Sequence, residues 1–165
     1  MLRLVIPGAP RTKKTSNRIV RIGRGENAFN KILPSEAYEG WFKQSMGLIV
    51  PPLRVWARQN HFDLPIRGQV WVKAIFYAEN ANVGDLTGYE QGLADFLQAP
   101  RMSKKTGKLT RDGAGVIDDD KQIASWDGSR VRIDRADPRI ELEIRPFQEA
   151  LPMPLGIQVD EVIVK

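Results

Sequence analysis

The chain has 165 residues, with 25 Lys/Arg against 20 Asp/Glu, one histidine and no cysteine, a size that supports one hydrophobic core and not two. The missing cysteines exclude disulfide scaffolds, thiolate metal centres and cysteine nucleophiles, and the lone His61 excludes Ser-His-Asp triads and HExxH zinc sites, so any chemistry falls to carboxylates and lysines. No window of about 18 apolar residues exists, and the start MLRLVIPGAPR is interrupted too early for a signal peptide, so a soluble, cytoplasmic protein without a membrane partner is expected.

LRLVI over 2–6 reads as a strand ended by Pro7-Gly8, and RIVRI over 18–22 as a second ended by Gly23. Residues 7–31 therefore form an arm punctuated by Pro7, Gly8, Pro10, Gly23 and Gly25. Ser35 caps an amphipathic helix with apolar positions at Tyr38, Trp41, Phe42, Met46 and Ile49; Pro51-Pro52 is expected to break it, with LRVWARQ as a second helical piece. QVWVKAIFYA, 69–78, is rich in β-branched and aromatic residues and reads as a central strand. Over 85–97 the pattern predicts a helix capped by Asp85. Leu86, Tyr89, Leu93, Phe96 and Leu97 form its core stripe, with Gly88, Gln91 and Asp95 on the other side. Residues 99–115 read as an exposed insertion loop made basic by Arg101, Lys104, Lys105 and Lys108. Asp127-Gly128 is a hairpin signal, and RIELEIR, 139–145, a strand with Ile140, Leu142 and Ile144 on one face. The proline-broken tail 147–165 either adds an edge strand or reaches a partner subunit.

Charge is divided along the chain: residues 1–84 carry 13 Lys/Arg against 5 Asp/Glu, and residues 85–165 carry 12 against 15. The arm concentrates Arg11, Lys13, Lys14, Arg18, Arg21 and Arg24 against one acid, Glu26, a pattern suited to phosphate backbones through counterion release. Asp118-Asp119-Asp120 is the opposite extreme: three adjacent carboxylates that repel, set between Val116-Ile117 and Ile123. Asp85, at the head of its helix, is a second candidate. Two such carboxylates converging at strand and helix ends can hold Mg²⁺, which takes few protein oxygens and keeps waters for chemistry. A basic arm with a carboxylate pair points to a nuclease.

IPGAPRTKKTSNRIVRIGRG, GDLTGYEQGLADFLQ, GVIDDDKQIASW and PRIELEI, in this order over residues 3–146, resemble the RusA-type endodeoxyribonucleases, which include Holliday junction resolvases often carried by prophages. The resemblance implies a single small α/β (α+β) domain over residues 1–165, with a mixed sheet packed by helices, and a homodimer. It also implies Mg²⁺-dependent cleavage of branched DNA in recombination and repair. The family's motif D-x-D-N with a following lysine, then D-x-L on the helix, is anchored by Leu93, Asp95 and Leu97. Asp85 then takes the first aspartate's place, while Thr87, Gly88 and Gln91 replace the second aspartate, the asparagine and the lysine. Asp119 and Asp120 fall on the family's DD pair. The implied catalytic set is Asp85, Asp119 and Asp120, with Asp85 and Asp120 holding Mg²⁺ and Lys121 near the phosphate. Asp118, Asp119 or Asp95 is the expected source of the oxygen missing at Thr87.

Each residue also has a plainer role. Asp85 suits an N-cap, Asp95 a surface or interface acid, and Trp41, Trp56, Trp71 and Trp126 core or dimer contacts. IGRGEN lacks GxxxxGK[ST], so no nucleotide cofactor is expected; a PD-(D/E)xK nuclease fits less well because IELEI lacks the terminal lysine. The alternative of a different class is a non-catalytic branched-DNA-binding dimer that kept the fold after losing the carboxylate at Thr87.

Overall fold

In the computed structural model, which describes residues 1–12, 17–81 and 84–147, a mixed five-stranded sheet carries two helices in a single small α+β domain. The sheet is built from β1 (Leu2–Pro7), β4 (Val70–Ala78), β7 (Ile123–Ser125), β8 (Arg130–Ile133) and β9 (Arg139–Pro146), in the order β1-β9-β4, with β7 and β8 both on the far edge of β4. β9 runs antiparallel to β1 and β4, while β7 and β8 run parallel to β4. β4 is central, as its composition predicts, and it alternates with period two: Val70, Val72, Ala74, Phe76 and Ala78 are buried while the residues between them are half-exposed. Ile140, Leu142 and Ile144 of β9 join them on the same face.

Both helices cover that face. α1 (Glu36–Gln59) contributes Tyr38, Trp41, Ile49, Val50 and Leu53, and α2 (Leu86–Leu97) contributes Tyr89, Leu93, Phe96 and Leu97 to one core. Phe76 stacks on Tyr89 and Trp41 packs on Phe96, at ring-centroid distances of 5.3 and 5.8 Å. The opposite sheet face bears Arg3, Lys73, Glu141 and Glu143. Among the described residues no helix is long and apolar enough to cross a membrane.

Three sequence expectations are corrected. α1 is continuous through Pro51-Pro52, not broken. Proline removes the bonds to the carbonyls four residues back, those of Gly47 and Leu48; both residues are exposed, so water can serve them, while the buried stripe Ile49, Val50, Leu53 and Ala57 holds the axis on either side. Asp127-Gly128 does not close a hairpin: β7 and β8 are not partners but successive additions to the same edge of β4. The turn carries the chain out and back, and the Ser129 hydroxyl takes the Ala74 N–H at 3.0 Å where a ladder bond would otherwise lie. The basic loop 99–115 is not structureless. It holds a two-stranded ribbon, β5 (Arg101–Met102) and β6 (Leu109–Arg111), and then returns into the core through Ala114 and Val116. A second ribbon, β2 (Arg18–Ile22) with β3 (Phe29–Leu33), forms the rest of the N-terminal arm. Lys13, Lys14 and the tail beyond Phe147 lie outside the described residues.

Candidate functional site

The site is organised by the capping chemistry of two short segments. Asp119 starts a single 3₁₀ turn, Asp120–Gln122, and its Oδ1 accepts the Lys121 N–H at 3.3 Å. Gln122 answers by accepting the Asp119 N–H at 3.1 Å and the Asp118 N–H at 2.7 Å, while its Nε2 donates to the carbonyls of Ile66 and Gly68. The acidic triplet is thereby pinned to the strand-end loop before β4, and Asp120 is turned toward α2. On the other side, Asp85 is the N-cap of α2 as expected: its Oδ1 accepts the Gly88 N–H. A Cβ at Gly88 would lie 2.7 Å from Asp85 Oδ1 and 3.2 Å from Thr12, so the cap and the N-terminal arm pack closely against this turn.

Asp120 and Asp95 line one cleft of about 420 Å³, with Gln91, Ala94, Asn17 and Ile32. A cleft of about 570 Å³ adjoins it through Gln91, Ala94 and Asp120 and adds Thr87, Glu90, Lys121 and Trp126. Of the α2 face that the periodicity set opposite the core stripe, Gln91 and Asp95 line this double cleft, whereas Gly88 is buried against Asp85 and Thr12. Burial raises the pKa of Asp120, and hydrogen bonding to Asp119 and the charges of Asp119 and Asp95 raise it further. Asp119 is held low, chiefly by the Lys121 N–H it accepts, then by Asp120 and Arg111. Asp95 also adds its charge to the burial that raises the Tyr38 phenol.

Asp85 lines neither cleft. It sits at the opposite end of α2 from Asp95, about 15 Å away along the axis at 1.5 Å per residue, so the two carboxylates cannot serve one ion. Thr87 opens into the cleft with Asp120 and Lys121. Among the described residues no three His, Cys, Asp or Glu side chains come together as a ready-made ligand set.

The cations of the N-terminal arm are partly committed elsewhere. Arg11 pairs with Glu79 at 3.0 Å, and Arg18 forks onto Glu36 and Glu39, both at 2.7 Å, fastening the ribbon to the first turn of α1. Arg21 and Arg24 are exposed and make no ion pair among the described residues. Sequence reading missed the role of Arg111. Its guanidinium donates to the carbonyls of Ala99 (3.1 Å) and Asp118 (2.7 Å), to the Gln98 side chain, and to Asp119 at 3.5 Å. Nothing in its neighbourhood marks it, because its partners come from two separate segments, the end of α2 and the acidic turn. Asp95 had a signal: it lies eight residues after Thr87 and four after Gln91, on one helical face. A scan against protein-family models finds no match to this chain, and no curated protein matches it either.

Proposed function

We propose that the protein is a Mg²⁺-dependent endodeoxyribonuclease acting on branched DNA such as four-way junctions, as the RusA resemblance implies. The observation that carries this reading is the convergence of Asp95 and Asp120 on one cleft, where the Asp95 charge is one of the causes that raise the Asp120 pKa and a cation would counter it. The donor set fits the ion: Mg²⁺ prefers hard oxygen ligands and needs only one or two carboxylates, keeping waters and substrate phosphates for the rest. Asp120 and Asp95 would hold it. The pairing of Asp120 with Asp85 is the competing assignment, and the length of α2 makes the two exclusive. When bound, Mg²⁺ supplies charge to polarise a scissile phosphate and a water acidic enough to attack it.

The chain's own groups do the rest. Asp119, kept ionised, fixes the turn that aims Asp120 into the cleft. Lys121, in the adjoining cleft, offsets phosphate charge. Arg21 and Arg24 make sequence-independent backbone contacts. A two-fold homodimer would present the cleft twice, matching the symmetry of a junction.

The test is cleavage of a labelled four-way junction with Mg²⁺. Activity should vanish in Asp120→Asn while junction binding persists, and Asp95→Asn should lose more activity than Asp85→Ala; the reverse ranking assigns the ion to Asp85. The threonine at position 87, where the resemblance places a second aspartate, favours a second reading, a non-catalytic junction-binding protein. Tight, salt-sensitive binding with no cleavage in the unaltered chain would establish that instead.

A further inference from the structure

We infer that the β5–β6 ribbon is a second phosphate-gripping arm, holding the duplex that flanks the cleft. This rests on the nucleic-acid reading above and assigns it an element outside the N-terminal arm. From Phe96 to Arg111 the chain carries Arg101, Lys104, Lys105, Lys108 and Arg111 and no acid. Among the described residues, Arg101, Lys104, Lys105 and Lys108 make no ion pair and no side-chain hydrogen bond, and all four are exposed. Arg11 and Arg18 of the N-terminal arm, by contrast, already spend their charge on Glu79, Glu36 and Glu39. The ribbon therefore carries four uncommitted cations, beside the Arg21 and Arg24 that the N-terminal arm keeps free of ion pairs among the described residues.

The ribbon is built to present that charge. Its tip is closed by the Ser103 N–H to the Lys108 carbonyl at 2.8 Å and the Gly107 N–H to the Ser103 carbonyl at 2.9 Å, with the Ser103 hydroxyl accepting the Thr106 N–H. Gly107 supplies the left-handed conformation, φ 64°, that the turn requires. The lysines thus ride on an ordered scaffold, which lowers the entropic cost of engaging a partner. Its root is fixed by Arg111, the one ribbon cation that is used internally, to Asp118 and Asp119 beside Asp120. A backbone held by the ribbon is consequently held at a set position relative to the acidic cleft. A two-stranded ribbon is also narrow enough to follow a DNA groove.

The experiment compares the unaltered chain with a Lys104→Ala/Lys105→Ala/Lys108→Ala variant and a triple Lys→Arg control, binding a labelled four-way junction and a linear duplex in EDTA from 50 to 200 mM salt. Each phosphate contact contributes about −0.9 to the slope of log K against log salt, so the alanine variant should lose about 2.7 from the slope. Its affinity should then fall about 40-fold less than that of the unaltered chain over that fourfold rise in salt. The arginine control should keep the original slope, and circular dichroism should show an unchanged melting midpoint in all three. An unchanged slope in the alanine variant, with the parent binding normally, overturns the arm alone. A parent that binds neither DNA with any salt dependence overturns the arm and the nucleic-acid reading together.

Discussion

Replacing Arg111 by methionine tests whether the acidic turn, the end of α2 and the basic ribbon are one clamped unit. The substitution keeps the aliphatic volume and removes the guanidinium. The largest loss is at Gln98, which is 3% exposed and whose side-chain oxygen accepts from Arg111; an acceptor left unpaired there costs about 1–3 kcal/mol. The carbonyls of Ala99 and Asp118 lie on half-buried or exposed residues, where water can replace the lost donor, and together add about 1 kcal/mol. The pair with Asp119 is long, 3.5 Å, and both side chains are a quarter or more exposed, so solvent screening leaves it little weight beside the other contacts. The expected destabilisation is about 2–4 kcal/mol, measured by urea denaturation, or a fall of roughly 5–15 °C in melting temperature for a domain of this size. A companion Gln98→Leu removes the stranded acceptor, so the double variant should be less destabilised than the sum of the two single ones. A loss below about 0.5 kcal/mol in Arg111→Met, or strict additivity in the pair, refutes the clamp.

Leu93→Ala, at a fully buried position of α2, should cost about 2–5 kcal/mol in the same denaturation assay, and a near-neutral result would contradict the assigned core. Gly113→Ala should destabilise by more than about 1 kcal/mol, because a Cβ there would lie 2.1 Å from the Gln98 carbonyl oxygen, a backbone atom that cannot swing aside. Asp85→Ala removes the cap of α2 and should cost about 0.5–2 kcal/mol of stability with or without Mg²⁺ present; a loss that appears only with Mg²⁺ would give Asp85 the ion instead. Asp120 binds its proton more tightly in the fold than in the unfolded chain, so its ionisation opposes folding: the penalty is absent below the ordinary carboxylate pKa of the unfolded chain, builds as pH rises from there, and is complete above the raised pKa of the fold. Asp95→Asn removes one of the opposing charges and should move the Asp120 midpoint downward in a carboxyl carbon NMR titration, whereas an upward or absent shift would separate the two residues.

Local patterns were readable from the chain because their causes are local. Asp85 and Ser35 precede apolar stripes and cap α2 and α1, and the alternation in 69–78 and 139–145 marks one buried face of each strand. The acids of 118–120 stood out by their mutual repulsion alone. Other features depend on contacts far apart in sequence. Whether Pro51-Pro52 ends a helix depends on the core that α1 packs against, and whether Asp127-Gly128 makes a hairpin depends on the free edge of β4, which accepts both flanking strands. Asp95 gains its importance only once the turn at Asp120 is folded against α2, and Arg11 and Arg18 lose part of theirs once Glu79, Glu36 and Glu39 are brought to them. Periodicity and capping are properties of neighbours along the backbone and so belong to the sequence. Which charges meet, and which remain for a ligand, follows from the packing that brings distant segments together.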